Sequence, residues 1–106
     1  MDFIDYDYEE IRDDVFELFG NLLENSNAES AEKYFFALDG DEIPDAFLSH
    51  LATAVYEIKK GILTENIKEK TKGYISEFKS GKYDDFIIDS DIKDIKKDIK
   101  YFEDNI

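Results

Sequence analysis

The sequence predicts an all-α fold, a compact bundle of four to five helices. Three observations carry that prediction. Apolar residues recur at three- and four-residue spacing along most of the chain, Gly and cap-forming residues punctuate those runs, and no second strand pattern accompanies the short apolar run Phe86-Ile87-Ile88. That run fits a short strand, a helical turn or a docked loop near residues 83–88. A length of 106 residues fits one helical domain spanning 1–106.

The first helix is expected over residues 8–24, where Tyr8, Ile11, Val15, Leu18 and Leu22 form an apolar stripe with Phe19 beside them. Asp5 or Asp7 is placed to cap it, and Gly20 weakens or bends it. At 100° per residue, Glu9, Glu10, Asp13, Glu17 and Glu24 fall on the opposite side, giving an anionic outer face. Asn25-Ser26-Asn27 is a break with cap chemistry. A shorter helix follows, with Ala31, Tyr34, Phe35 and Leu38 inward, ended by Asp39-Gly40. Pro44 starts a third helix whose stripe is Phe47, Leu51, Ala54, Val55 and Ile58; Lys59 and Lys60 suit its carboxyl end, and Gly61 stops it.

Thr64 is placed to cap a fourth helix carrying Ile67, Tyr74, Ile75 and Phe78, with Thr71 and Gly73 as interruptions and Gly81 as its end. A last amphipathic helix follows Ser90. Its seam is Ile92, Ile95, Ile99 and Phe102, and its lysines alternate with Asp91, Asp94 and Asp98 as a solvated, mutually paired surface. Phe102 and Ile106 either complete the core or form a dimer seam.

Charge is unevenly distributed. Residues 1–50 hold 15 acidic and two basic side chains, so that half carries 13 of the 14 net negative charges. Such self-repulsion costs stability and is not needed for folding, which points to a surface that attracts something basic. Acidity alone serves solubility, but here the acids are segregated and tyrosines stand among them in Asp5-Tyr6-Asp7-Tyr8. Aromatic anchors ringed by carboxylates suit the gripping of a basic protein, the ring supplying contact area and the acids supplying on-rate and register. Tyr8 is assigned to the core and Tyr6 to the surface.

Several function classes are disfavoured. The chain has no Cys, which removes disulfides, thiolate metal sites and a cysteine nucleophile. His50, the only histidine, reads as a half-buried structural residue. A calcium loop requires Gly at its sixth position, where counting from Asp5 gives Glu10 and from Asp39 gives Pro44, so no metal and no cofactor is expected. The carboxylates nominate no glycosidase pair, and no phosphate-cradling loop or nucleophile elbow is present, so enzymatic activity is not expected. Direct nucleic-acid binding is disfavoured by the anionic half. No basic stretch precedes a long apolar run, so neither a leader nor a membrane span is expected and a cytoplasmic location is the default. Twelve lysines against one arginine, with frequent Ile and Asn, suggest an AT-rich bacterial or phage genome.

The acidic opening Asp5-Tyr6-Asp7-Tyr8-Glu9-Glu10, the helix over 11–23, and Ala52-Thr53-Ala54-Val55 on a helix ending near Gly61 together resemble the small acidic helical immunity proteins of bacterial toxin systems, those of contact-dependent inhibition and polymorphic toxins. The resemblance is one of overall pattern. It implies neutralisation of a basic, nuclease-type toxin domain by covering its active site or an adjacent surface. Tyr6, Glu9, Glu10, Asp13 and Glu17 would face the toxin, with Asp39, Asp41, Glu42 and Asp45 extending the patch if the first two helices pack antiparallel. Two alternatives stay open: a phage-encoded DNA mimic occupying the channel of a nucleic-acid-binding host protein, and a regulatory interaction domain using an apolar groove near Phe16, Leu23 and Phe86-Ile87-Ile88. The oligomeric state is open.

Overall fold

The computed structural model describes the backbone of residues 8–39, 45–83 and 89–106, and the side chains of residues 8–35, 47–83 and 92–106. Five helices follow one another: α1 Tyr8–Glu24, α2 Ala28–Asp39, α3 Asp45–Lys60, α4 Glu65–Lys79 and α5 Asp89–Asp104. No strand occurs among the described residues, and Phe86-Ile87-Ile88 lies outside them, as do Asp5 and Asp7 as candidate caps; Ser90 falls inside α5, which begins one residue earlier at Asp89.

Local chemistry sets most boundaries. The Asn27 side chain accepts the Ser30 N–H at 2.8 Å, capping α2. Thr64 does the same for α4, its hydroxyl accepting the Ile67 N–H at 3.2 Å. Helices α3 and α4 end alike. Gly61 and Gly81 adopt φ of 72° and 92°, the left-handed region. The following residues donate back to the last turn, Ile62 N–H to Glu57 C=O and Lys82 N–H to Glu77 C=O. These paired bonds satisfy carbonyls that a helix end otherwise leaves open.

Helix α3 is the hub, packing against α1, α4 and α5. Every residue from Phe47 to Val55 is buried. The one-sided stripe expected there is therefore too narrow, since a helix enclosed by neighbours buries its whole circumference. The polar members are accommodated internally: Thr53 donates to the Ser49 carbonyl at 2.8 Å, and the His50 ring lies 5.0 Å from Tyr74. Thr71 is no interruption of α4. It is fully buried and donates to the His50 carbonyl, tying α4 to α3. His50 is also more deeply buried than half.

Two clusters form the interior. One joins Tyr8, Phe47, Leu51, Ile67, Ile95 and Phe102 among others, with Phe47 stacked on Tyr83 at 5.1 Å. The second joins Val15, Phe19, Ala31, Phe35 and Ala52, and Ile11 borders both. Phe102 thus completes the core, whereas Ile106 is exposed. Two members of the expected stripes are corrected. Leu18 and Tyr34 are 55 % and 58 % exposed, because each lies at the margin of its helix's apolar arc, where packing leaves it in solvent.

Helix α1 is pinned to α5 by a buried polar contact. The Tyr8 hydroxyl donates to Asp98 Oδ2 at 2.7 Å, and the Arg12 guanidinium approaches the same oxygen at 3.3 Å. Asp98 is buried, so it is not part of a solvated, lysine-paired surface. Lys93, Lys96, Lys97 and Lys100 do remain exposed, and Lys100 pairs with Asp104 along the helix. Burial and then the Asp98 carboxylate push the Tyr8 phenol well above its ordinary value, which keeps it a donor.

Candidate protein interaction surface

The outer face of α1 is built by helical geometry. With Tyr8, Val15 and Phe19 fixed in the core, Glu9, Glu10, Asp13, Asp14, Glu17 and Glu24 are all exposed. Asp14 belongs to this face although the sequence reading omitted it. Its angular position lies between the acidic arc and Leu18. Arg12, the only base of α1, is turned toward Asp98.

None of the salt bridges among the described residues involves Glu10, Asp13, Asp14, Glu17 or Glu24. The lysines near this face sit over aromatic rings. Lys59 Nζ lies 5.8 Å from the Phe16 ring centre, and Lys60 Nζ 5.6 Å from that of Tyr56.

The arrangement works against helix stability. Glu9 and Glu10 favour the amino end of α1, but Glu9–Asp13, Glu10–Asp14 and Asp13–Glu17 are like-charge pairs at i,i+4, each costing a few tenths of a kcal/mol. Glu24 stands in the last turn with no basic residue beside it, where the helix dipole disfavours an acid.

Beside Glu17 and Glu24 runs a groove of about 750 Å³ between α1 and the carboxyl end of α3, floored by Phe16, Gly20, Leu23, Tyr56 and Ile62. Phe16 meets the Tyr56 ring edge to face at 5.2 Å, and Phe19 meets it at 5.7 Å. A Cβ at Gly20 would stand 3.0 Å from the Tyr56 hydroxyl, so this glycine leaves room for the tyrosine.

Of the other residues expected at the site, Asp39 and Asp45 are the last residue of α2 and the first of α3, with side chains outside the described set. Tyr6, Asp41 and Glu42 lie outside the described residues altogether.

Sequence reasoning missed a second feature, a buried carboxyl pair. Glu32 of α2 and Glu57 of α3 are 2 % and 0 % exposed. The turn at Gly61 folds the chain back so that Thr64 serves both. Its N–H donates to Glu57 Oε1 at 3.1 Å, and its hydroxyl donates to Glu32 Oε2 at 2.7 Å. Glu57 Oε2 is buried with no other donor. A proton retained on Glu57 lowers the cost of burying this oxygen. Desolvation first, then the hydrogen bond to Glu32, push the Glu57 carboxyl up to about 9.

Because the fold holds this proton above the ordinary carboxyl value of 4.5 while the unfolded chain releases it, stability falls as pH rises from there toward 9. The slope reaches at most about 1.4 kcal/mol per pH unit. Glu57→Gln removes that dependence. Urea denaturation is expected to show the variant gaining on the parent between pH 5 and pH 8, whereas parallel stability curves would rule out a proton retained on Glu57.

No group of three or more His, Asp or Glu side chains able to hold a metal gathers among the described residues. No described helix is long and apolar enough to cross a membrane. Comparison with protein-family models, curated proteins and solved structures finds no match to this chain.

Proposed function

We propose that this protein is a binding protein that neutralises a basic partner through the outer face of α1, acting as an immunity protein against a cognate nuclease-type bacterial toxin. The observation that carries the reading is the exposed run Glu10, Asp13, Asp14, Glu17 and Glu24, which makes no salt bridge among the described residues and is placed at a cost to its own helix. Glu9 acts with them in this reading, and the sequence nominates Tyr6, Asp39, Asp41, Glu42 and Asp45 as further contacts for the same partner. The protein acts in the bacterial cytoplasm, without a cofactor and without catalysis of its own. Its carboxylates meet Lys and Arg side chains that the toxin uses to hold nucleic acid, so binding excludes the substrate.

The test is capture from the source organism's lysate at low salt and release at high salt, followed by expression of the captured domain with and without this protein. A basic toxin domain whose lethality is relieved by co-expression is the expected result. Capture of a nucleic-acid-binding defence or transcription protein would replace this reading with that of a DNA mimic, and the absence of any salt-sensitive partner would return the acidity to a role in solubility.

A further inference from the structure

The groove beside the acidic face has features that solubility does not require. Its floor is aromatic and aliphatic. Ile62, part of that floor, is 37 % exposed, and the Tyr56 hydroxyl makes no hydrogen bond to another described residue. Phe16 and Phe19 of α1 pack against the Tyr56 ring and Gly20 of the same helix leaves room for its hydroxyl, so the recess is preformed. Its two long edges differ in charge. Glu17 and Glu24 form the α1 edge, and Lys60 stands on the α3 side above Tyr56.

We propose that this groove receives one apolar side chain from a cationic protein segment, whose neighbouring lysines or arginines lie along the Glu17 and Glu24 edge. The inference rests on the reading of the acidic face as the partner-binding side, and it adds the anchor that charge alone does not supply. A recess of this kind is where interfaces concentrate affinity: a fully desolvated ring or aliphatic group at the centre, with charges at the rim setting approach and register. Charge also selects the occupant. A second copy of this chain would bring another Glu17 and Glu24 edge and a net charge of −14 against the same surface, which opposes self-docking.

The experiment uses three synthetic helical peptides at low ionic strength, titrated into the full chain and followed by calorimetry and tryptophan fluorescence. One is lysine-rich with a single tryptophan, one has serine in its place, and one keeps the tryptophan among glutamates. The tryptophan–lysine peptide is expected to bind about tenfold or more tighter than the serine peptide, the gain of burying one large side chain. Ile62→Asn should erase that advantage, whereas Ile106→Asn, at an exposed apolar residue elsewhere, should preserve it. The double variant Glu17→Gln, Glu24→Gln should weaken both cationic peptides.

Equal binding of the tryptophan and serine peptides would overturn the groove proposal while leaving the acidic face as a binding surface. Failure of both cationic peptides would overturn both. Tight binding of the glutamate peptide, or Ile62-dependent self-association in sedimentation, would assign the groove to a different occupant.

Discussion

Asp98→Ala is expected to lower the unfolding free energy by about 2–4 kcal/mol, a large share of what a domain of this size possesses. The carboxylate is the acceptor for the fully buried Tyr8 hydroxyl and the ion-pair partner of Arg12. Its removal strands a buried donor, whose desolvation is then uncompensated. Arg12 is partly solvated and loses less, because water can replace its partner. Tyr8→Phe removes the donor and leaves Asp98 with Arg12, so a smaller loss of about 1–2 kcal/mol is expected. Urea denaturation with an unchanged m-value checks both. A loss below about 1 kcal/mol for Asp98→Ala would show that the contact adds little beyond the packing around it.

Reversing Glu10, Asp13 and Glu17 to lysine is expected to act on function and leave the fold in place. All three are exposed and make no salt bridge among the described residues, and the substitutions turn Glu9–Asp13 and Glu10–Asp14 into opposite-charge pairs while Asp13–Glu17 stays like-charged with its sign reversed. Helical circular dichroism and the melting midpoint should therefore be retained. Association with the proposed basic partner should slow by about ten- to a thousandfold at low ionic strength, where electrostatic steering is strongest, with the gap narrowing as salt rises. Unchanged association would remove these residues from the interface.

Much of the fold was legible because its signals are local. The period of α1 read over Tyr8, Ile11 and Val15, the Asn27 and Thr64 caps, and the Gly61 and Gly81 stops all act within a turn or two of the residues concerned. What was not legible depends on neighbours distant in sequence. Asp98 follows the same acid–lysine alternation as Asp94, and only the approach of Tyr8, 90 residues earlier, makes it an interior residue. Glu32 and Glu57 look like surface glutamates until the Gly61 turn brings Thr64 between them.

Signals for two other features were present. Residues 46–56 carry no charge in a chain that is 38 % charged, which marks α3 as the enclosed helix. Gly20 at a mid-helix position marks a close approach as readily as a bend, and here Tyr56 makes that approach. The acidic face was read directly, since exposure follows from the position of the stripe opposite it. The groove was only half read. Phe16 and Leu23 mark an apolar groove in the sequence, but their partners Tyr56 and Ile62 come from the far end of α3 and the turn after it.

The central claim is that the outer face of α1 meets a basic protein. The most direct test is cross-saturation NMR of the isotopically labelled chain bound to the captured basic domain, which reports the residues in contact with the partner. The account predicts saturation transfer at Glu10, Asp13, Glu17 and Glu24, extending to Tyr56 and Ile62 in the groove, and none along the lysine-bearing outer side of α5. A footprint centred on Lys93, Lys96, Lys97 and Lys100, with α1 silent, would contradict it.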